Sequence, residues 1–117
     1  MKTVLIDVCS LSAVKQRVAE TFKTGKRQPP RISFPTHELF WKILTPKRMD
    51  LLKAMAGAGP LGVREIARLV ERDVKGVHTD LTALCKTGIV ERVDDAKYQF
   101  PYDALHIDFT VIGSKAA

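Results

Sequence analysis

One stretch constrains this chain more than any other: Val63 to Lys97, VREIARLVERDVKGVHTDLTALCKTGIVERVDDAK. Ile66, Ala67 and Val70 share one face, which predicts a helix over Val63–Val70 with a turn at Glu71-Arg72. A second helix is predicted from about Asp73 to Thr87, with Val74, Val77, Leu81 and Leu84 as its apolar stripe. Asp73 suits the first turn or the N-cap, and Gly88 suits the position past the end, where φ > 0 is cheap. Ile89-Val90-Glu91-Arg92 then alternates like a strand. Asp94-Asp95 marks a turn, and Tyr98-Gln99-Phe100 returns. Helix, turn, helix and hairpin in that order form a winged helix-turn-helix within an α+β fold.

The second helix also has an outer face. At about 100° per residue, Arg72, Lys75, Gly76, Thr79, Ala83 and Lys86 lie opposite the stripe. Cations at the rim can meet phosphates, small residues permit close approach, and a Thr can bond a base edge. His78 lies on the flank of that helix, where it can contact a phosphate or serve the fold. Lys47 and Arg48 fall in the first turn of a helix that Thr45 caps and Pro46 opens. Cations there oppose the helix dipole, and either a nearby phosphate or an acidic neighbour would offset this. Arg64 on the first motif helix and Lys97 on the hairpin complete the DNA-contact candidates of this half.

Charge is unevenly placed. The net charge is +6, which favours a polyanionic partner. Residues 1–36 hold seven Lys or Arg against two acids, and residues 37–117 hold twelve against eleven. The motif half is therefore nearly neutral. Lys23, Lys26, Arg27 and Arg31 cluster beside Pro29-Pro30 as a basic arm, with Lys26 and Arg27 as its DNA-contact candidates. A solvated linker is the alternative for this arm.

Ahead of the motif, Lys2 to Val8 alternates as a strand, and Ser10 or Ser12 caps a helix to about Thr24. Leu11, Val14, Val18 and Phe22 are its stripe. Arg31 to Phe34 is a second strand, and Thr36 caps a short helix from His37 to about Ile43. Phe40 and Trp41 are too apolar to stay wet and should cover the domain or a dimer seam. Leu105, Ile107, Phe109 and Val111 alternate in a last strand that needs a partner; the N-terminal strand, of this chain or of a second, is available. The organisation expected is an N-terminal strand–helix–strand extension with its basic arm over residues 1–36, a winged domain over 37–112 and a frayed tail over 113–117.

Enzyme chemistry has little support. His37, His78 and His106 fall in three different elements, and no phosphate loop, nucleophile elbow or metal motif is present. Cys9 and Cys85 lack a Cys/His cluster and read as reduced thiols of a cytoplasmic protein without a metal or cofactor. No run is long enough for a membrane span, and Asp7 interrupts the first apolar stretch, unlike a signal peptide.

Three segments carry a resemblance: LTPKRMDLLKAM at Leu44–Met55, VREIARLVERDVKGVHTDLTALCKTGIVER at Val63–Arg92, and FPYDALHIDF at Phe100–Phe109. Together they resemble a family of prokaryotic winged-helix transcriptional regulators over about Ile32 to Phe109. The run from Arg72 to His78 is the most distinctive part. Members are often assigned as antitoxins encoded beside a small toxin. The resemblance implies a double-stranded-DNA-binding repressor of its own operon, with a cognate toxin as a second partner; the surplus apolar surface of the N-terminal strand, its helix stripe and Phe40-Trp41 implies a homodimer. Gly62 departs from the pattern, where relatives tend to carry Ser, and this weakens the cap of the first motif helix. The rival expectation is a winged-helix protein-interaction module without intrinsic DNA specificity. An RNA-binding module is a weaker third.

Overall fold

The computed structural model describes residues 1–9, 15, 16, 18–20, 23, 25, 30–111, 113 and 115. In chain order the elements are β1 (Thr3–Val8), β2 (Arg31–Phe34), α1 (His37–Ile43), α2 (Pro46–Met55), β3 (Leu61–Gly62), α3 (Val63–Leu69), α4 (Val74–Lys86), β4 (Glu91–Arg92), β5 (Lys97–Gln99) and β6 (Ala104–Ile107). The fold is α+β, with two three-stranded sheets. Of the helix expected before Thr24, Lys15, Gln16, residues 18–20 and Lys23 are helical, and Val18 is exposed. Leu11, Val14 and Phe22 of its stripe lie outside the described residues, as does most of the tail.

The first sheet has the order β2-β1-β6, with β1 parallel to both neighbours. Period-two alternation decides which side is dry: Val4 and Ile6 are fully buried, while Thr3 on the other face is exposed. The last strand thus finds its partner within the same chain, Val4 facing Leu105 and Ile6 facing Ile107. It is also shorter than expected. Pairing ends at Ile107; beyond it Phe109 turns into an aromatic cluster with Phe40 and Trp41, and Val111 is exposed. Val4, Ile6 and Phe34 share one core with Leu51, Leu52 and Leu84, so residue 36 is no break in the packing.

The helices begin where short polar side chains can satisfy their orphan N–H groups. Thr36 Oγ1 accepts from Leu39 N–H at 3.2 Å, and Thr45 Oγ1 from Arg48 N–H at 3.3 Å. At Gly62 there is no side chain to do this. Only the return half of a capping box exists: Gly62 N–H donates to Glu65 Oε1 at 3.3 Å. Asp73 caps the start of α4, its Oδ2 accepting from Gly76 N–H at 2.8 Å. Between α3 and α4, Glu71 sits at φ 55, which lets the chain reverse within a few residues.

Val77, Leu81 and Leu84 seat α4 on Ile66, Leu51 and Leu52, all with no exposed surface. Truncating one of these, as in Leu81→Ala, should cost about 2–5 kcal/mol. Val74 departs from the expected stripe and is 42% exposed. It is the first residue of α4, so it precedes the turn that meets the core. After Gly88 at φ 81, Ile89 and Val90 are buried without strand pairing, and the hairpin begins only at Glu91. Ala96 N–H donates to Asp94 Oδ1 at 2.8 Å and tightens the hairpin turn. The second sheet has an element the sequence does not announce: β3 pairs antiparallel with β5, Leu61 facing Tyr98 and Gly62 facing Lys97.

Candidate nucleic-acid interface

Helix α4 turns Lys75, His78, Thr79 and Lys86 to solvent. Gly76 lies between them, half-buried. A Cβ there would stand 3.0 Å from Asp73 Oδ1 and 3.2 Å from Arg72 Nη2. The absent side chain therefore makes room for the capping carboxylate and a neighbouring guanidinium, rather than for a ligand alone. Thr79 Oγ1 donates to Lys75 O at 3.1 Å, so its hydroxyl proton is engaged inside the helix. What Thr79 offers outward is an acceptor lone pair and its methyl group.

Two of the expected contact residues, Arg48 and Arg72, pair with an acid of α4. Arg48 Nε donates to Asp80 Oδ1 at 3.0 Å, and its Nη1 donates to Ile43 O at 3.0 Å. One side chain thus joins the end of α1, the start of α2 and the middle of α4. Arg72 Nη1 lies 2.9 Å from the other oxygen, Asp80 Oδ2, near enough for an ion pair though not aligned as a hydrogen bond. Asp80 is therefore clasped by two arginines, with all three side chains largely buried. Asp80 is an acidic neighbour that answers the Arg48 cation in the first turn of α2. Arg48 and Arg72 serve to orient α4, and Asp80 cancels one of their two charges.

Glu71 is exposed in the turn before α4, and Lys47, Asp73 and Lys75 are the exposed charges beside its first residues. Lys47, Asp73 and Lys75 line an open depression of about 420 Å³ together with Thr45, Gly76, Thr79 and the Arg48–Asp80–Arg72 clasp. The Asp73 carboxyl lies below its ordinary range, first because Gly76 N–H bonds it and then because Arg72 and Lys47 stand near. Asp73 therefore stays ionised and weakens the positive field of the depression. Arg64 and Lys97 are exposed elsewhere, around the β3–β5 junction. Lys26 and Arg27 lie outside the described residues. Arg31, counted in the basic arm and at the head of the second strand, does open β2, where its Nε lies 3.5 Å from Asp7 Oδ2.

A second depression, of about 580 Å³, is apolar. Phe40, Trp41, Leu44, Met49, Ile107 and Phe109 contribute to its lining. The rings of Phe40 and Trp41 meet edge-to-face at 5.0 Å, and Phe40 and Phe109 at 4.9 Å. Phe40 is buried as expected, but Trp41 stays 64% exposed. Two determinants of the α4 surface, Asp80 and Val74, escape a reading of the sequence. Asp80 has no local signal, because Arg48 is 32 residues away. For Val74 a signal exists: it directly follows the cap, where a stripe position need not reach the core.

The chain belongs to the HVO_A0114 family. The family model matches residues 43–107, from the end of α1 through β6, and so takes in Arg48, Arg72 and Asp80 together with the whole outer face of α4. The match leaves out β1 and β2. No curated protein and no solved structure matches the chain.

Proposed function

We propose that this chain is a sequence-specific double-stranded DNA-binding protein of the winged helix-turn-helix type, acting as a transcriptional regulator. In this reading α3, the turn at Glu71-Arg72 and α4 are the helix-turn-helix, α4 enters the major groove, and β4–β5 is the wing. The observation that carries the reading is the start of α4. Lys75 and Thr79 face outward, Lys47 flanks them, and the Arg48–Asp80–Arg72 clasp fixes the angle at which they are presented. Lysines at the rim suit phosphates, and the short residues between them suit base edges.

The apolar depression around Trp41 favours a protein contact as well. We assign it to a second copy of the chain, since a homodimer would present two α4 helices to the two halves of a palindromic site. By resemblance, the regulated operon is its own and a toxin is a further partner. By the same resemblance to prokaryotic regulators, the protein acts in the cytoplasm. No helix among the described residues is long and apolar enough to cross a membrane.

The test is binding of the full chain to duplex DNA from its own promoter region, against an unrelated duplex, at several salt concentrations. The expected result is tighter binding to the promoter duplex. The plot of log affinity against log salt should fall by about 0.9 for each phosphate contacted. Equal, weak and salt-insensitive binding to both duplexes would refute the reading and favour the protein-interaction module.

A further inference from the structure

The DNA-binding reading gives no role to the one large apolar residue that α4 leaves exposed. Val74 is the first residue of that helix and is 42% exposed, whereas Val77, Leu81 and Leu84 have no exposed surface. The exposed residues nearest to it in the chain are polar or charged: the capping Asp73, Lys75, His78 and Thr79. An apolar, β-branched side chain stands at the leading end of a helix that is otherwise polar on its solvent side. We propose that Val74 reads a thymine, burying the C5-methyl group of that base in the major groove; the proposal rests on the DNA-binding reading above.

Three physical points carry it. Recognition helices of this type meet base edges with their N-terminal residues, and Val74 occupies the first position. Its side chain has no donor and no acceptor, so it cannot distinguish bases by hydrogen bonding. The thymine methyl is the one apolar group that a base pair displays in the major groove. Finally, a β-branched side chain in a helix keeps essentially one χ1 rotamer, so Val74 is already rigid before contact. Thr79 adds to the same chemistry. With its hydroxyl proton given to Lys75 O, it presents a methyl and an acceptor rather than a donor. Lys75, one residue on, keeps its ammonium donors for a guanine edge or a phosphate.

The experiment begins by enriching duplexes from a randomised library with the full-length chain. Each thymine of the enriched duplex is then replaced, one at a time, by deoxyuridine, which removes only the methyl group. Wild type should lose about four-fold in affinity at one position, the worth of one buried methyl-sized group. Val74→Ala, which keeps only a short methyl, should lose clearly less than wild type on the change from thymine to uracil at that position, with an unchanged melting temperature. Val74→Gln should shift the preference there to adenine, whose edge a Gln side chain matches. Enriched duplexes with no uracil-sensitive position would overturn the proposal while leaving the DNA-binding reading intact. So would a sensitivity that persists undiminished in Val74→Ala, or an Ala variant that loses equally on enriched and random duplexes. Failure to enrich any sequence would overturn the DNA-binding reading and this proposal with it.

Discussion

Replacing Asp80 with alanine tests the orienting clasp in two directions at once. The Asp80 side chain is 14% exposed, and those of Arg48 and Arg72 are 17% and 20% exposed. Such groups are poorly screened, so losing the carboxylate leaves two cations facing each other in a semi-dry seam. The aligned Arg48 Nε–Asp80 bond, charge-assisted and 3.0 Å long, contributes about 1.5–3 kcal/mol. The unaligned contact to Arg72 adds about 0–1 kcal/mol. Removing one partner of a fully buried pair costs about 3–5 kcal/mol. Here the guanidiniums can swing partly into water, so about 2–4 kcal/mol is expected for Asp80→Ala. For a chain of this size that lowers the melting temperature by roughly 10 °C. DNA affinity should move the other way. Two guanidiniums are released beside Lys47 and Lys75, so binding to random duplex tightens while discrimination falls. Urea denaturation and a random-duplex titration on the same variant read the two effects. A stability loss below about 1 kcal/mol, the range of an ordinary surface change, would show that the three groups are merely a screened surface cluster.

The remaining predictions follow from the same geometry. Asp73→Asn keeps the cap of α4, because an amide oxygen serves as well as a carboxylate there, and should tighten DNA binding by removing the negative charge from the depression that Lys47 and Lys75 line. The Asp73 carboxyl is lowered in the folded state, first by its bond from Gly76 N–H. Its stabilisation is therefore complete above the ordinary carboxylate range and lost as pH falls through the lowered value. An acid titration should show the Asn variant lacking that part of the acid limb, and an identical limb would count against the cap. Replacing Lys23, Lys26 and Arg27 with Gln, and leaving Arg31 to its ion pair with Asp7, should flatten the salt slope by about 0.9 for each phosphate no longer neutralised. An unchanged slope would make the arm a solvated linker. Trp41 is the single tryptophan of the chain and is largely exposed. Acrylamide should quench it readily at high dilution and less as a dimer forms, and Trp41→Ala should shift sedimentation toward monomer with little change in stability. Quenching that does not depend on concentration would remove this face from the dimer seam.

Residues in continuous patterns are where the linear reading and the structure agree best. The caps at Thr36, Thr45 and Asp73, the turn at Glu71 and the φ of Gly88 are all local devices, whose partners lie within a few residues. Period-two and helical alternation likewise mark Val4 and Ile6 for one side of a sheet, and Val77, Leu81 and Leu84 for one side of a helix, because burial selects one face of a regular element. The outer face of α4 is legible for the same reason: it is what remains when the stripe is taken away.

What those faces meet was decided elsewhere. The pairing of β1 with β6 joins residues about a hundred positions apart, and the pairing of β3 with β5 involves a strand of only two residues with no pattern to read. Arg48 and Arg72 carry the same charge as Lys47 and Lys75 and sit as near to α4 in the sequence. Only the approach of α2 to α4 places Asp80 between the two arginines, making them part of the fold and leaving the lysines to solvent. Val74 divides from Val77 in the same way. Both satisfy the helical period, but the core begins one turn inside α4, so the first valine is left outside. A local pattern determines which side of an element is apolar; the distance from that side to a neighbouring element, and the counter-charge found there, exist only once the chain has closed on itself.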